Sequence, residues 1–309
     1  MLLTDKSLIA KRGLKKKLSS KFAYKMLAFV KANFPNDEMM IKRMIRQIKC
    51  SSRLEIYSNG VVKSIFCKEK TCSVCNSIRL AKFLDKYLDP IKGENIKYHM
   101  VLTVRNPGQS DLKSTIDKMY DFFNNSSLRK DKAYRGLNKT IKMFRSFETT
   151  LNEKSNTYNV HFHILLAGQK ETEVIEYGKL LIDFWLKYFK EKANIKAQYL
   201  EKQEKSILEN FKYLFKINDI TVSNIRMVYH LLKAIEGKRL FTAKNIHLTK
   251  ETIESKEEKF NDIEDAKLIE TFNYMNKEKN WINDKTGEIF VQDQDYEKLK
   301  LEKARRKKL

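Results

Sequence analysis

The stretch NVHFHILLAG, Asn159 to Gly168, sets two of the chain's five histidines one residue apart inside an apolar run. Successive side chains of a strand point to opposite faces. Val160, Phe162, Ile164 and Leu166 therefore share one face, and His161, His163 and Leu165 share the other. The first set is wholly apolar and needs cover. The second aims two imidazoles in one direction.

Outward from this strand the elements follow a readable order. IKMFRSFETTL (141–151) reads as a preceding strand, joined through the polar turn NEKSN. KYHMVLTV (97–104) alternates as a strand, and SDLKSTIDKMYDFF (110–123) puts Leu112, Ile116, Met119 and Phe123 on one helical face. VIEYGKLLIDFWLKYF (174–189) is a second helix, with Val174, Tyr177, Leu181, Phe184 and Tyr188 in register. IKAQYLEK (195–202) reads as a fourth strand and SILENFKYLFK (206–216) as a closing helix. The order β-α-β-β-α-β predicts an α+β fold: a split antiparallel sheet of RRM-like type, helices on one face and the other face open. The apolar set belongs under the helices, so the histidines stand on the open face.

A third ligand follows from the hairpin. With its turn centred near Lys154–Asn156, Glu148 falls opposite the 161–163 region, and directly opposed residues share a face. Two imidazoles and a carboxylate suit Mn²⁺ or Mg²⁺, and Zn²⁺ is also compatible. The plainer alternative is a pair of partly exposed strand histidines that bind nothing.

In the closing helix, Ile207, Leu208, Phe211, Leu214 and Phe215 form the apolar stripe. Glu209, Tyr213 and Lys216 lie together on the opposite side. A phenol, with a pKa of about 10, needs a cation or a base to act as a nucleophile at neutral pH. A metal-polarised phosphodiester beside Lys216 would meet that need. The alternative is an ordinary amphipathic surface helix.

The ordered set YHMVLTVRN, FETTLNEKSNTYNVHFHILLAG, ENFKYLFK and EGKRL resembles the HUH endonucleases, in particular the replication initiators of small bacterial plasmids that replicate by a rolling circle. The resemblance covers roughly residues 48–245 and leaves both ends unmatched. It implies that His161 and His163 bind the catalytic metal and that Tyr213 is the nucleophile, joined to the 5′ end after cleavage. Lys212 and Lys216 are then the basic residues of the motif. Glu209 matches the glutamate that activates water at termination, a role consistent with Ile217, not a second tyrosine, one turn beyond Tyr213. Implied partners are plasmid origin DNA, single-stranded or extruded as a hairpin, a host helicase and the replication machinery.

Cys50, Cys67, Cys72 and Cys75 are all the cysteines present. SRLEIYSNGVVKSIFC reads as two strands around Asn59-Gly60; with the hairpin centred near 58–59, position 50 falls across from position 67, with CSVC following. Four thiolates gathered this way fit a structural Zn²⁺ site; free thiols or a redox dithiol are the alternatives. Similar C-x-x-C elements precede the catalytic core in the resembling family.

Sixty-two Lys and Arg against 39 Asp and Glu give a net charge of +23, which favours a polyanionic partner. No run approaches the ~18–20 apolar residues of a spanning helix, and MLLTDKSLIAKRGLKKKL is too broken by lysines for a secretory signal. A cytoplasmic protein without a membrane partner is expected. The predicted organisation is a basic helical segment (1–45) with Leu14, Leu18, Phe22, Met26 and Val30 in register, a Cys-rich hairpin and helix (46–90), the nicking core (91–220), an extension of the core (221–249) and a solvated charged tail (250–309), in which NWINDKTGEIFV could form a hairpin. Two rivals stay open. A non-catalytic RRM-like binder would present stacking aromatics where this strand carries His161 and His163, with His99 and Thr103 on the same parity of the first strand. A transposase or relaxase of the same superfamily is the other.

Overall fold

The computed structural model describes residues 6–59, 62–203, 224–246, 266–275, 277–278 and 280–290. Along the chain, α1 (Lys6–Asn33) and α2 (Glu38–Lys49) lead to β1 (Arg53–Tyr57), β2 (Val62–Lys63) and α3 (Ser73–Lys92). Next come β3 (Ile96–Thr103), α4 (Gln109–Phe122), α5 (Ser126–Lys130), α6 (Lys132–Thr140), β4 (Lys142–Asn152), β5 (Thr157–Gly168), α7 (Glu171–Phe189) and β6 (Tyr199–Lys202). Then follow α8 (Ile225–Ala234), β7 (Phe241–Lys244), β8 (Leu268–Met275) and β9 (Asn280–Asn283). The fold is α+β with two antiparallel sheets. No helix among the described residues is long and apolar enough to cross a membrane. The chain forms two compact units, residues 80–247 and residues 1–79 with 248–309.

In the 80–247 unit a five-stranded sheet runs in the order β6-β3-β5-β4-β7, every neighbouring pair antiparallel. The long β4–β5 hairpin sets its register because only one face of β5 is uniformly apolar. Val160, Phe162, Ile164 and Leu166 are fully buried on that face. Phe162 meets Phe123 and Trp185 edge-on, and α4 buries Leu112, Ile116 and Met119. Each such side chain contributes roughly 1.5–3 kcal/mol by leaving water.

The inward stripe of α7 differs from the sequence expectation. Trp185 and Phe189 are buried, while Phe184 and Tyr188 are only partly so. The Trp185 indole has a specific partner inside: its Nε1 donates to the Thr103 carbonyl at 2.8 Å.

The second face is less open than expected. Leu80, Phe83, Tyr87 and Ile91 of α3 pack on Phe144, Leu165 and Ala167. Cover on this face is therefore apolar at the Leu165 end of β5 and gives way to polar groups at the His161 end.

Residues 224–246 add α8 and the edge strand β7, neither anticipated. The EGKRL segment is the bend between them. Gly237 has φ +70°, Lys238 pairs with Asp117 at 2.6 Å, and the Arg239 carbonyl accepts from Tyr120 Oη at 2.9 Å.

The other unit holds a four-stranded sheet of order β2-β1-β8-β9. The β1–β2 hairpin occurs as expected, but its register pairs Ile56 with Val62 and Glu55 with Lys63. The solvated tail is corrected for residues 268–290: β8 pairs along the whole of β1, and Trp281 is fully buried. The NWIND hairpin does form, through the Ile282–Ile289 bridge. On α1, Phe22, Met26 and Val30 are buried as predicted, whereas Leu18 is 38% exposed. The Leu14 side chain lies outside the described residues.

Candidate metal centre

Glu148 on β4 stands directly opposite His161 on β5, and His163 lies two residues along the same face. Glu148 Oε2 is 2.9 Å from His163 Nε2 and 3.9 Å from His161 Nε2. One donor atom from each of the three falls within 4.8 Å of the others. The side chains are 29%, 23% and 12% exposed for Glu148, His163 and His161, so a ligand can reach them.

Both rings are oriented from behind. His161 Nδ1 is 3.1 Å from the Asn159 carbonyl, which only accepts, so that nitrogen carries the proton and Nε2 faces the carboxylate as a lone pair. His163 Nδ1 is 3.0 Å from His99 Nε2 on β3, and the two rings stack 5.2 Å apart at 11°. Burial holds His161 below the ordinary imidazole range; His163 adds to this, while Glu148 and the Asn159 carbonyl oppose it. Burial also pushes His99 down to about 4, reinforced by His163 and opposed by Glu201. His99 is thus neutral at pH 7. Two imidazoles and one carboxylate, converging on one side of a sheet with their outer nitrogens occupied, fit a divalent cation.

The sequence placed Glu148, His161 and His163 together, and the geometry agrees. His99 was assigned only a face. Its contact with His163 depends on β3 and β5 being neighbours, which spacing along the chain does not disclose. Tyr213, Glu209, Lys212 and Lys216 lie outside the described residues.

In the other unit all four cysteines come together as free thiols. Cys50 Sγ is 3.6 Å from Cys75 and 3.5 Å from Cys72, and Cys67 is 3.6 Å from Cys75. Beside them is Lys16, fully buried on α1. Burial lowers its pKa to about 8, against the upward pull of Cys50, Cys72 and Cys67.

With this geometry in hand, similarity to known proteins becomes informative. The family model described as "Replication protein" (Rep_1) matches residues 59–297. That span reaches well past the end of the resemblance near residue 245 and takes in β8 and β9. A "Protein rep" of Bacillus sp is 27% identical over 242 residues, covering 66% of this chain and 75% of that protein. A "Protein rep" of Bacillus amyloliquefaciens is 26% identical over 226 residues, 62% of this chain and 63% of that protein, so less than two thirds of its length is spanned. A "Replication protein" of Staphylococcus aureus is 30% identical over 196 residues, 56% of this chain and 77% of that protein. No solved structure matches. A model match across most of the chain, over the sheet that carries Glu148, His161 and His163, assigns this chain to the Rep_1 replication-protein family.

Proposed function

We propose that this chain initiates rolling-circle replication of a plasmid by nicking one strand of the origin and later rejoining it, as a site-specific endonuclease and strand transferase of HUH type. The observation that carries this reading is the convergence of Glu148, His161 and His163 on one face of the sheet. The strand order β6-β3-β5-β4 supports it, since β3 and β4 run in the same direction with β5 inserted between them, a split βαβ arrangement.

Glu148, His161 and His163 would hold Mg²⁺ or Mn²⁺, which supplies Lewis-acid polarisation of the scissile phosphodiester when bound. The Tyr213 hydroxyl attacks the phosphorus, and the bond to the 3′ oxygen breaks. Tyr213 is left joined to the 5′ phosphate, and a free 3′-OH is available to prime synthesis. Lys212 and Lys216 offset charge on the phosphoryl oxygens. At termination Glu209 takes a proton from water, the water oxygen bonds to the phosphorus, and the bond to the Tyr213 oxygen breaks. The net charge of +23 gives salt-sensitive affinity for the phosphate backbone. Origin DNA with unpaired bases at the nick, a host helicase and a cytoplasmic setting complete the reading.

The experiment incubates the protein with a single-stranded candidate origin and Mn²⁺ or Mg²⁺. A covalent protein–DNA adduct that is lost in Tyr213→Phe and in His161→Ala is expected. Binding without cleavage under every metal condition would return the chain to the class of non-catalytic binders, and undiminished cleavage by Tyr213→Phe would move the nucleophile elsewhere.

A further inference from the structure

We propose that Cys50, Cys67, Cys72 and Cys75 hold one structural Zn²⁺ ion, and that the buried ammonium of Lys16 is a built-in counter-charge to the resulting tetrathiolate. Three of the ligands lie in Cys67-x₄-Cys72-x₂-Cys75, within the spacings of structural zinc sites, and Cys50 arrives from the end of α2.

The sulfur geometry fits a tetrahedron. Arms of about 2.3 Å give edges of about 3.8 Å. Three of the sulfur pairs are 3.5, 3.6 and 3.6 Å apart, and all four atoms lie within 4.8 Å of one another. A disulfide would draw one pair to about 2.05 Å and leave the other two sulfurs apart. Here Cys75 is equally distant from Cys50 and Cys67, so no pairing is singled out.

The surroundings are arranged for negative sulfur. Backbone N–H groups of Cys67, Lys68, Glu69 and Cys75 donate to Cys50, Cys75, Cys67 and Cys72 Sγ at 3.5, 3.3, 3.4 and 3.5 Å. Lys68 takes φ +58° in this turn, which aims successive amides inward. The ligand loops are joined independently of any ion: Thr71 Oγ1 donates to Gln47 Oε1 at 2.6 Å, and Glu69 receives Arg43 and Arg46 at 2.9 and 2.5 Å.

Four thiolates around Zn²⁺ carry a formal charge of about −2, and burying that charge calls for a nearby cation. Lys16 is 1% exposed, and its ammonium donates to the Ile48 carbonyl at 2.6 Å and Ser52 Oγ at 3.2 Å, on either side of Cys50. Its remaining partner is the Tyr274 ring at 5.0 Å. None of these is a carboxylate, so a buried ammonium lacks an anion among the described residues unless the sulfurs provide it. A metal-bound sulfur cluster accounts for both features together.

The test uses the full-length chain, purified under reducing conditions. Elemental analysis is expected to give one zinc per chain. Exchange with Co²⁺ is expected to give the thiolate-to-cobalt charge-transfer and tetrahedral d–d absorption of a four-sulfur site. Cys72→Ser should lose both; since it could also unfold, the wild-type spectrum is the deciding measurement. Lys16→Met should release zinc to a chelator roughly ten- to a hundredfold faster, and Lys16→Arg should recover most of that loss. Zinc-free reduced protein with a featureless cobalt spectrum overturns the site. Unchanged release from Lys16→Met overturns the counter-charge. Neither readout involves DNA, so failure here is separable from failure of the nicking reading.

Discussion

His99 and His163 face each other across neighbouring strands, Nε2 to Nδ1 at 3.0 Å, with their rings nearly parallel. A ring nitrogen that binds a cation cannot carry a proton, so His163 can ligate through Nε2 only with its proton on Nδ1. Neutral His99 is placed to accept that proton. We therefore expect His99→Phe, which keeps the stack and removes the acceptor, to weaken Mn²⁺ binding by roughly ten- to a hundredfold. Cleavage at saturating metal should change far less, and His99→Gln should recover part of the affinity. Calorimetric Mn²⁺ titration alongside the metal dependence of nicking separates these effects. An unaltered affinity would remove His99 from the site.

Glu148 makes the sharper case. Glu148→Gln keeps the shape and hydrogen-bonding capacity of the side chain and removes its charge. Metal binding and nicking should fall below detection, whereas Glu148→Asp should retain some of each. Stability should change by only about 1 kcal/mol or less, because the Glu148–His163 pair is partly solvated. A thermal melt of metal-free protein checks that point. A large loss of stability would make Glu148 a structural residue instead.

The ion pair beneath EGKRL predicts a pH dependence. Asp117 lies 2.5 Å from Lys113 and 2.6 Å from Lys238. Burial alone would raise its pKa, but hydrogen bonds and charge from the two lysines outweigh that and hold it below the usual carboxylate range. A depressed carboxyl stabilises the fold above its unfolded pKa of about 3.9 and loses that contribution as pH falls through the folded value. Asp117→Asn should cost about 0.5–1 kcal/mol at pH 7, with the difference from wild type vanishing in strong acid. Urea midpoints at both ends of the range measure it. A difference independent of pH would mean the loss is not electrostatic.

Gly237 tests the same bend through the backbone. Its φ is +70°, and a Cβ built there would meet nothing within 4 Å. Gly237→Ala should therefore cost only the left-handed penalty, about 1–2 kcal/mol, with no steric component. A variant as stable as wild type would show that the bend relaxes freely.

The parts of the fold legible in the sequence are those in which local pattern and long-range packing agree. In the β4–β5 hairpin, one-sided apolar alternation and a short polar turn fix a register that sets Glu148 opposite His161. The parts that were not legible depend on distant partners. Phe184 and Trp185 fit a helical stripe about equally well, and the Phe122 and Phe162 rings with the Thr103 carbonyl decide between them. FTAK is too short to announce an edge strand, yet β7 pairs with β4. LIETFNYM alternates, but its partner Arg53–Tyr57 lies more than two hundred residues earlier, and the charged sequence around it resembles a solvated tail.

Residues 268–290 therefore yield the last prediction. The Trp281 ring is fully buried, its Nε1 donates to the Ser51 carbonyl at 2.9 Å, and Tyr274 N donates to the Ser52 carbonyl at 2.7 Å. These contacts hold the backbone beside Cys50 from strands at the far end of the chain. Trp281→Ala should cost about 3–5 kcal/mol in the unit that contains β1, through cavity formation and the stranded Ser51 carbonyl. Trp281→Phe, which mainly removes the indole donor, should cost less. The chain has two tryptophans, Trp281 in this unit and Trp185 in the other, so fluorescence of Trp185→Phe and Trp281→Phe follows the two unfolding transitions separately. A chain ending before Ala266 should lose the transition of the unit that contains β1, which circular dichroism can follow once Trp281 is gone, and keep that reported by Trp185. A truncated chain with both transitions intact would restore the solvated-tail reading and detach β8 and β9 from the fold.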